Sequence, residues 1–366
     1  MQRPSLNPSV LLEAAAEGPP PTRPSRWRVL VKAAAAVIAF LLMPVGPRRE
    51  AERRPERPLL SRVLHGLIYR LAALPVLLAV IVSVLVYTAT HPVPVPALAD
   101  PSAVGLYFEK VTVRASDGVV SEAWLVPVVD ARRVIEEREW VIRSSQPAMV
   151  LVHDHAFSRQ QLLPYLRPLH EAGIVTLTLA TRGIDTQRPS GRTFGLRESL
   201  DVAAAVALLR QRAMVDGDRV GLLGIGTGAT AALLAARHDP RIRVIAAIDP
   251  PRTPDEALRP LTPTQPVLRF LEPLSRITFE TLFNVNTSDA DLSRLSTSLR
   301  DRQVLYVLSD GGRPTSETSF RTVTHFVASR LADETGHPSA TAPQTRGERV
   351  LVAVRETAFP SVLVLR

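Results

Sequence analysis

The sequence predicts an α/β domain, a mostly parallel sheet flanked by helices, preceded by one or two transmembrane helices. Three observations predict it: short apolar runs, helical patterns between them, and an uncharged stretch well ahead of both. The runs at 148–153, 174–179, 220–224, 244–248 and 304–308 are nearly continuous in apolar residues, as strands buried on both faces require. Helical patterns at 160–172, 196–212 and 229–238 lie between them. Such alternation means parallel strands joined by right-handed crossovers. Ahead of these, "YFEKVTVRASDGVVSEAWLVPV" alternates like two antiparallel strands around the turn Ser116-Asp117-Gly118.

The uncharged stretch is "LAALPVLLAVIVSVLVY", which with Thr88–Thr90 gives a transmembrane helix over residues 71–90. That reaches the roughly 20 residues needed to cross a bilayer core. A shorter hydrophobic segment at 28–46, containing "AAAAVIAFLLMPVG", reads as a first span or as a helix lying in the interface. Between the two, residues 47–70 carry Arg48, Arg49, Arg53, Arg54, Arg57, Arg62 and Arg70. Positive residues beside a span stay cytoplasmic, so this loop belongs inside and the C-terminal domain outside the cytoplasm, on the periplasmic side of an inner membrane. Residues 1–27, rich in Pro, Ser and charge, are expected to be disordered. Residues 91–104, opening with "HPVPVPALADP", read as an extended Pro-rich stalk. Ala97 and Ala99 resemble a peptidase site, but the long charged region upstream favours an uncleaved anchor. The folded domain is expected at 105–366.

Charge and composition exclude several functions. The formal charge of +9 is concentrated in residues 1–100, with twelve Lys/Arg against six Asp/Glu, so the folded part has no basic, aromatic-interleaved surface for nucleic acid. The chain has no cysteine, which removes disulfides, thiolate metal sites and cysteine nucleophiles.

The order of elements resembles the α/β-hydrolase superfamily, especially its dienelactone-hydrolase and prolyl-oligopeptidase-like esterase branches. The likeness is carried by "VLVHDHAFSRQQLLPYLRPLHEAGIVTLTLATRG" and "LRESLDVAAAVALLRQRAMVDGDRVGLLGIGTGATAALLAARHDPRI". The resemblance implies an oxyanion loop after the first of these strands and a nucleophile elbow, Gly-x-Ser-x-Gly, after the third. At the elbow stand Gly224, Gly226, Thr227 and Gly228, with glycine in the nucleophile's place. Thr227 carries a hydroxyl, but moving the register onto it puts Ile225 and Ala229 at flanks that want glycine. Glycine at 226 removes the reactive oxygen and is expected to relax the turn. "GIGTGA" fits neither a dinucleotide fingerprint nor a P-loop.

In the oxyanion loop, His153 is followed by Asp154, where the relatives implied by the resemblance have glycine, and then by His155. A carboxylate there opposes a forming oxyanion unless it is turned away. His153 is expected to be a satisfied structural histidine, since neighbouring strand residues point to opposite faces. The acid is expected after the strand at 304–308. Gly312 takes its place, with Asp310 two residues early as a displaced acid or a helix cap. The base is expected after a strand at 349–354, where "RETAFPSVLVLR" has no histidine; His325 and His337 do not match. "ATRG" keeps Arg182 and Gly183, which are structural in the family.

The resemblance, so altered, implies a membrane-anchored pseudo-hydrolase with no catalytic set, cofactor or metal. It would act as a binding or accessory subunit toward the bilayer and other membrane or extracytoplasmic proteins, and it predicts no protonatable pair near Gly226. The alternative is an active esterase-like hydrolase using Asp310, His153 or His155 in an open pocket. Residues 252–302 form a cap-like insertion. Its "QPVLRFLEPLSRITFETLFNV" bears an apolar stripe that either packs on its own domain or docks on a partner or the bilayer.

Overall fold

The computed structural model describes residues 59–91, 97–128, 145–183, 191–263, 265–308, 317–332, 352–356 and 359–365. The expected segments at 1–27 and 28–46, together with Asp310, Gly312 and His337, lie outside these residues. The chain divides into two compact units. One comprises Met1–Gly18, Thr90–Pro260 and Phe283–Arg366; the other comprises Pro19–Ala89 and Leu261–Leu282.

The described strands are β1 (Glu109–Arg114), β2 (Val120–Val126), β3 (Gln146–Val152), β4 (Val175–Leu179), β5 (Val215–Ile225), β6 (Val244–Ile248), β7 (Gln303–Leu308), β8 (Val352–Glu356) and β9 (Phe359–Leu365). The longer helices are α1 (Leu59–Thr90), α2 (Leu163–Glu171), α3 (Glu198–Arg210), α4 (Thr227–His238), α5 (Glu272–Phe283) and α6 (Glu317–Ala332). The sheet runs β1-β2-β4-β3-β5-β6-β7-β9-β8. β4, β3, β5, β6 and β7 are mutually parallel, and β2 is antiparallel to both β1 and β4. The apolar runs fall on β3 to β7, and every residue of β4 and β6 is buried.

Helices cover both faces. α2 and α6 pack on one another over the face carrying Met149, Leu151, Leu223 and Leu305. α3 and α4 pack on one another and on β5. All of Thr227–Ala236 in α4 is buried, as a helix that is apolar and small on every side must be. Arg182 pins the turn after β4. Its guanidinium donates to Asp201 at 2.7 and 3.0 Å and to Asp117 at 2.7 Å. Burial opposes this charge, yet the two carboxylates raise the Arg182 pKa above its ordinary value.

Three expectations change. The C-terminal "SVLVLR" is a ninth strand, β9, inserted antiparallel between β7 and β8. It pairs with β7 from Val304 to Leu308, where the resemblance implies a closing helix. The expected eighth strand at 349–354 is β8, beginning at Val352. In the stalk, Ala97 and Ala99 pack against the core and the Leu98 N–H donates to Gln160 Oε1 at 3.0 Å. The Asp100 carboxylate caps the 3-10 turn Pro101–Val104, so this part of the segment is seated on the domain.

In the second unit α1 begins at Leu59, so the last residues of the expected 47–70 loop are helical. No proline falls between Pro58 and Pro75 to break it. Residues Leu71–Thr90 have a mean hydropathy of 2.5; among the described residues this is the one helix long and apolar enough to cross a membrane.

Candidate functional site: the occupied elbow

The ends of β3 and β5 make the site. Parallel pairing sets Val152 beside Gly224, so His153–His155 leave the sheet next to Ile225–Thr227. At Gly226 the chain turns into α4 with φ +57° and ψ −125°, angles that cost a residue with a Cβ about 1–3 kcal/mol. The turn keeps the elbow's geometry, which its neighbours hold, and glycine takes these angles without that cost. The Gly226 N–H donates to Ile248 O at 2.8 Å. A β-carbon at Gly224 would sit 2.5 Å from Ala229 Cα, and one at Gly228 would sit 2.5 Å from His153 O. The flanking glycines are fixed by close backbone approach.

Glycine at 226 admits a different group. A β-carbon there would lie 2.5 Å from Asp154 Cγ and 2.9 Å from Asp154 Cβ. The carboxylate is turned into the elbow rather than away from it. Its Oδ1 accepts from the Thr227 N–H (2.9 Å) and the Thr227 hydroxyl (2.8 Å), and lies 2.9 Å from His155 Nδ1. In an active elbow the N–H after the nucleophile is an oxyanion donor; here the protein's own carboxylate takes it. Burial opposes the charge, but His155 and the two Thr227 donors outweigh it and hold the Asp154 pKa far below the ordinary carboxylate range.

A protonatable pair, Asp154 with His155, thus stands beside Gly226, where none was expected. Thr227, set aside on register, is the hydroxyl of the site. It stands one residue past the elbow tip in the first turn of α4, is 5% exposed, and accepts from the His155 N–H at 3.0 Å. Thr227 Oγ1 lies 3.3 Å from His155 Nδ1. The signal that could have found this network is the coincidence of Asp154 and Gly226, one gaining a side chain where the other lost one.

His153 is buried. Its Nδ1–H donates to Asp154 O at 2.7 Å, while Nε2 faces the Thr181 N–H and hydroxyl at 3.4 Å. Burial lowers its pKa to about 4, which keeps the ring neutral at neutral pH. The His155 ring packs edge-on against Phe194, centroids 5.4 Å apart. Glu198 holds that loop, taking Thr193 N–H (2.7 Å), the Thr193 hydroxyl (2.6 Å) and Gly195 N–H (2.9 Å). The buried Arg192 guanidinium donates to His155 O, and among the described residues its Nε has no partner. Burial lowers its pKa to about 10. The space left among His153, His155, Thr181, Arg192, Glu198 and Thr227 is about 10 Å³, room for one water at most. Among the described residues no open pocket lies at the elbow. Among the described residues no group of three or more His, Asp or Glu is placed to hold a metal ion.

The strand order, the antiparallel β2 and the glycine elbow define an α/β-hydrolase fold. No family model matches the chain. Over 155 residues it is 28% identical to the thiohydrolase apmlB of Arthrinium phaeospermum, a match covering 40% of this chain and 44% of that protein. The match therefore spans less than half of the relative's length. Among solved structures, the Pyrococcus furiosus esterase Pf2001 is 16% identical, with 58% of this chain and 75% of that chain covered and a TM-score of 0.42. EstE1, a thermophilic carboxylesterase cloned from a metagenomic library, is 14% identical, with 62% and 88% covered and a TM-score of 0.42. These likenesses carry nothing about activity.

Proposed function

We propose that this protein is a membrane-anchored pseudo-hydrolase, in which the α/β-hydrolase fold serves as a binding or scaffolding subunit of a membrane assembly. One observation carries the reading: the Asp154 carboxylate fills the nucleophile's place and takes the Thr227 N–H. Acyl transfer needs a reactive oxygen and donors free to meet developing negative charge. An ionised carboxylate in that position is already the anion the donors would stabilise. The anchor is α1, and the arginines before it favour a periplasmic domain.

A second reading, an active esterase-like hydrolase, is favoured by Thr227 Oγ1 lying 3.3 Å from His155 Nδ1. In it the threonine hydroxyl would attack, with His155 as base. Against it, the hydroxyl directs its proton to Asp154, a carboxylate too acidic to be an effective base. Fluorophosphonate labelling of the full-length protein in its membrane distinguishes the two. The pseudo-hydrolase gives no adduct; covalent modification of Thr227 would establish the second reading. Mild-detergent purification, with identification of co-purifying proteins, then tests the scaffolding role.

A further inference from the structure

We propose that α5 lies in the bilayer interface, its outer face inserted among the headgroups and upper acyl chains on the side of the main domain. This rests on the reading of α1 as a membrane anchor. α5 and the turn before it have two apolar faces. Leu271, Ser275 and Phe279, four residues apart, are fully buried. On the other face Phe270, Leu274 and Ile277 are exposed at 64, 44 and 59%. Glu272, Arg276 and Glu280 repeat at the same spacing and are half-buried, with Arg276 and Glu280 3.5 Å apart. A helix covered on one side needs one apolar stripe; this one has a second, edged by charge.

Three observations commit that second stripe to lipid. First, Leu261–Leu282 belongs to the same compact unit as α1, whose Leu71, Leu74, Val76 and Val80 are likewise exposed. Second, the residues that close α1 and α5 gather around Gly191, all within the first unit. A β-carbon on Gly191 would meet Phe283 Cζ at 2.6 Å and His91 Cε1 at 3.0 Å. The neighbouring Arg192 N–H donates to Thr90 O at 2.8 Å. The C-terminal end of α5 therefore stands where α1 ends, at the level at which a spanning helix leaves the bilayer. Third, the exposed set is Phe, Leu and Ile, apolar residues of the kind that a helix lying in a membrane surface buries.

The chain has no cysteine, so single reporters can be placed in the full-length protein. Val80→Cys, Leu274→Cys, Ile277→Cys and Thr297→Cys would each carry an environment-sensitive fluorophore in phosphatidylcholine–phosphatidylglycerol vesicles, with and without doxyl-labelled lipid. The expected result is loss of fluorescence to doxyl lipid at 80, 274 and 277, and none at 297. Quenching at 80 with 274 and 277 unquenched would overturn the inference while leaving the anchor standing. A blue shift at 277 that ignores doxyl lipid and grows with protein concentration would mean a second copy covers the face, which also overturns it. No quenching at 80 removes the anchor, and the inference with it.

Discussion

The Asp154 side chain stands in the space that a β-carbon on Gly226 would enter, its Cγ 2.5 Å and its Cβ 2.9 Å from that position. The two residues lie 72 apart in sequence and meet because β3 and β5 are parallel neighbours ending level, Val152 beside Gly224. Each explains the other. Without a side chain at 226 the carboxylate has room, and with the carboxylate present a serine there does not fit. The sharp turn persists because Gly224 and Gly228 still pack backbone against backbone.

That packing makes the flanks intolerant. Gly228→Ala gains helix propensity but places its new carbon 2.5 Å from His153 O and 2.7 Å from Val152 O. Overpacking against a backbone that cannot yield costs about 1–3 kcal/mol. Thermal unfolding of the full chain in detergent should show a lower midpoint for this variant.

Asp154→Asn keeps the shape but loses the charge on which Thr227 and His155 converge. Hydrogen bonds to a charged group contribute about 1.5–3 kcal/mol each, so the variant should be less stable at neutral pH by an amount of that order. The Asp154 pKa is depressed in the folded state. Its contribution is thus complete above the unfolded carboxylate value of about 3.9 and is lost as pH falls toward the folded value. Unfolding free energies should accordingly converge for wild type and Asp154→Asn as pH drops below about 4. A difference that persists undiminished in acid would contradict the ionised assignment.

His153 gives a separate window. Its folded pKa is lowered from 6.5 to about 4, so the unfolded chain takes up a proton first as pH falls. Stability is full above pH 6.5 and declines until about pH 4, where the folded state also protonates. The loss assigned to this one ring is roughly 3 kcal/mol. His153→Gln, titrated over the same range by chemical unfolding, should show a slope shallower by about one proton.

Much of the sheet was legible because buried parallel strands leave continuous apolar runs. The runs at 148–153 and 244–248 fall on β3 and β6 with little displacement. β9 was not, because "SVLVLR" becomes a strand only through pairing with β7, more than fifty residues earlier. The start of α1 was misplaced because charge in the segment 47–70 suggested a loop, whereas helix continuity depends on the absence of a breaker after Pro58. At the site, the glycine turn and the pinned Arg182 could be read from residue type and order. The role of Asp154 could not, since sequence gives its charge and not the direction its side chain takes once two strand ends lie side by side. For the same reason the Thr227 hydroxyl was set aside, although it contacts both Asp154 and His155.

A double-mutant cycle between these two sites is the most direct test of the occupied elbow. Unfolding free energies would be measured for wild type, Gly226→Ser, Asp154→Gly and the double variant, each as the full chain. The account predicts that serine at 226 destabilises the wild-type background strongly and the Asp154→Gly background much less, with a coupling of about 1–3 kcal/mol. Equal costs of the serine in both backgrounds would mean that Asp154 does not occupy the nucleophile's place.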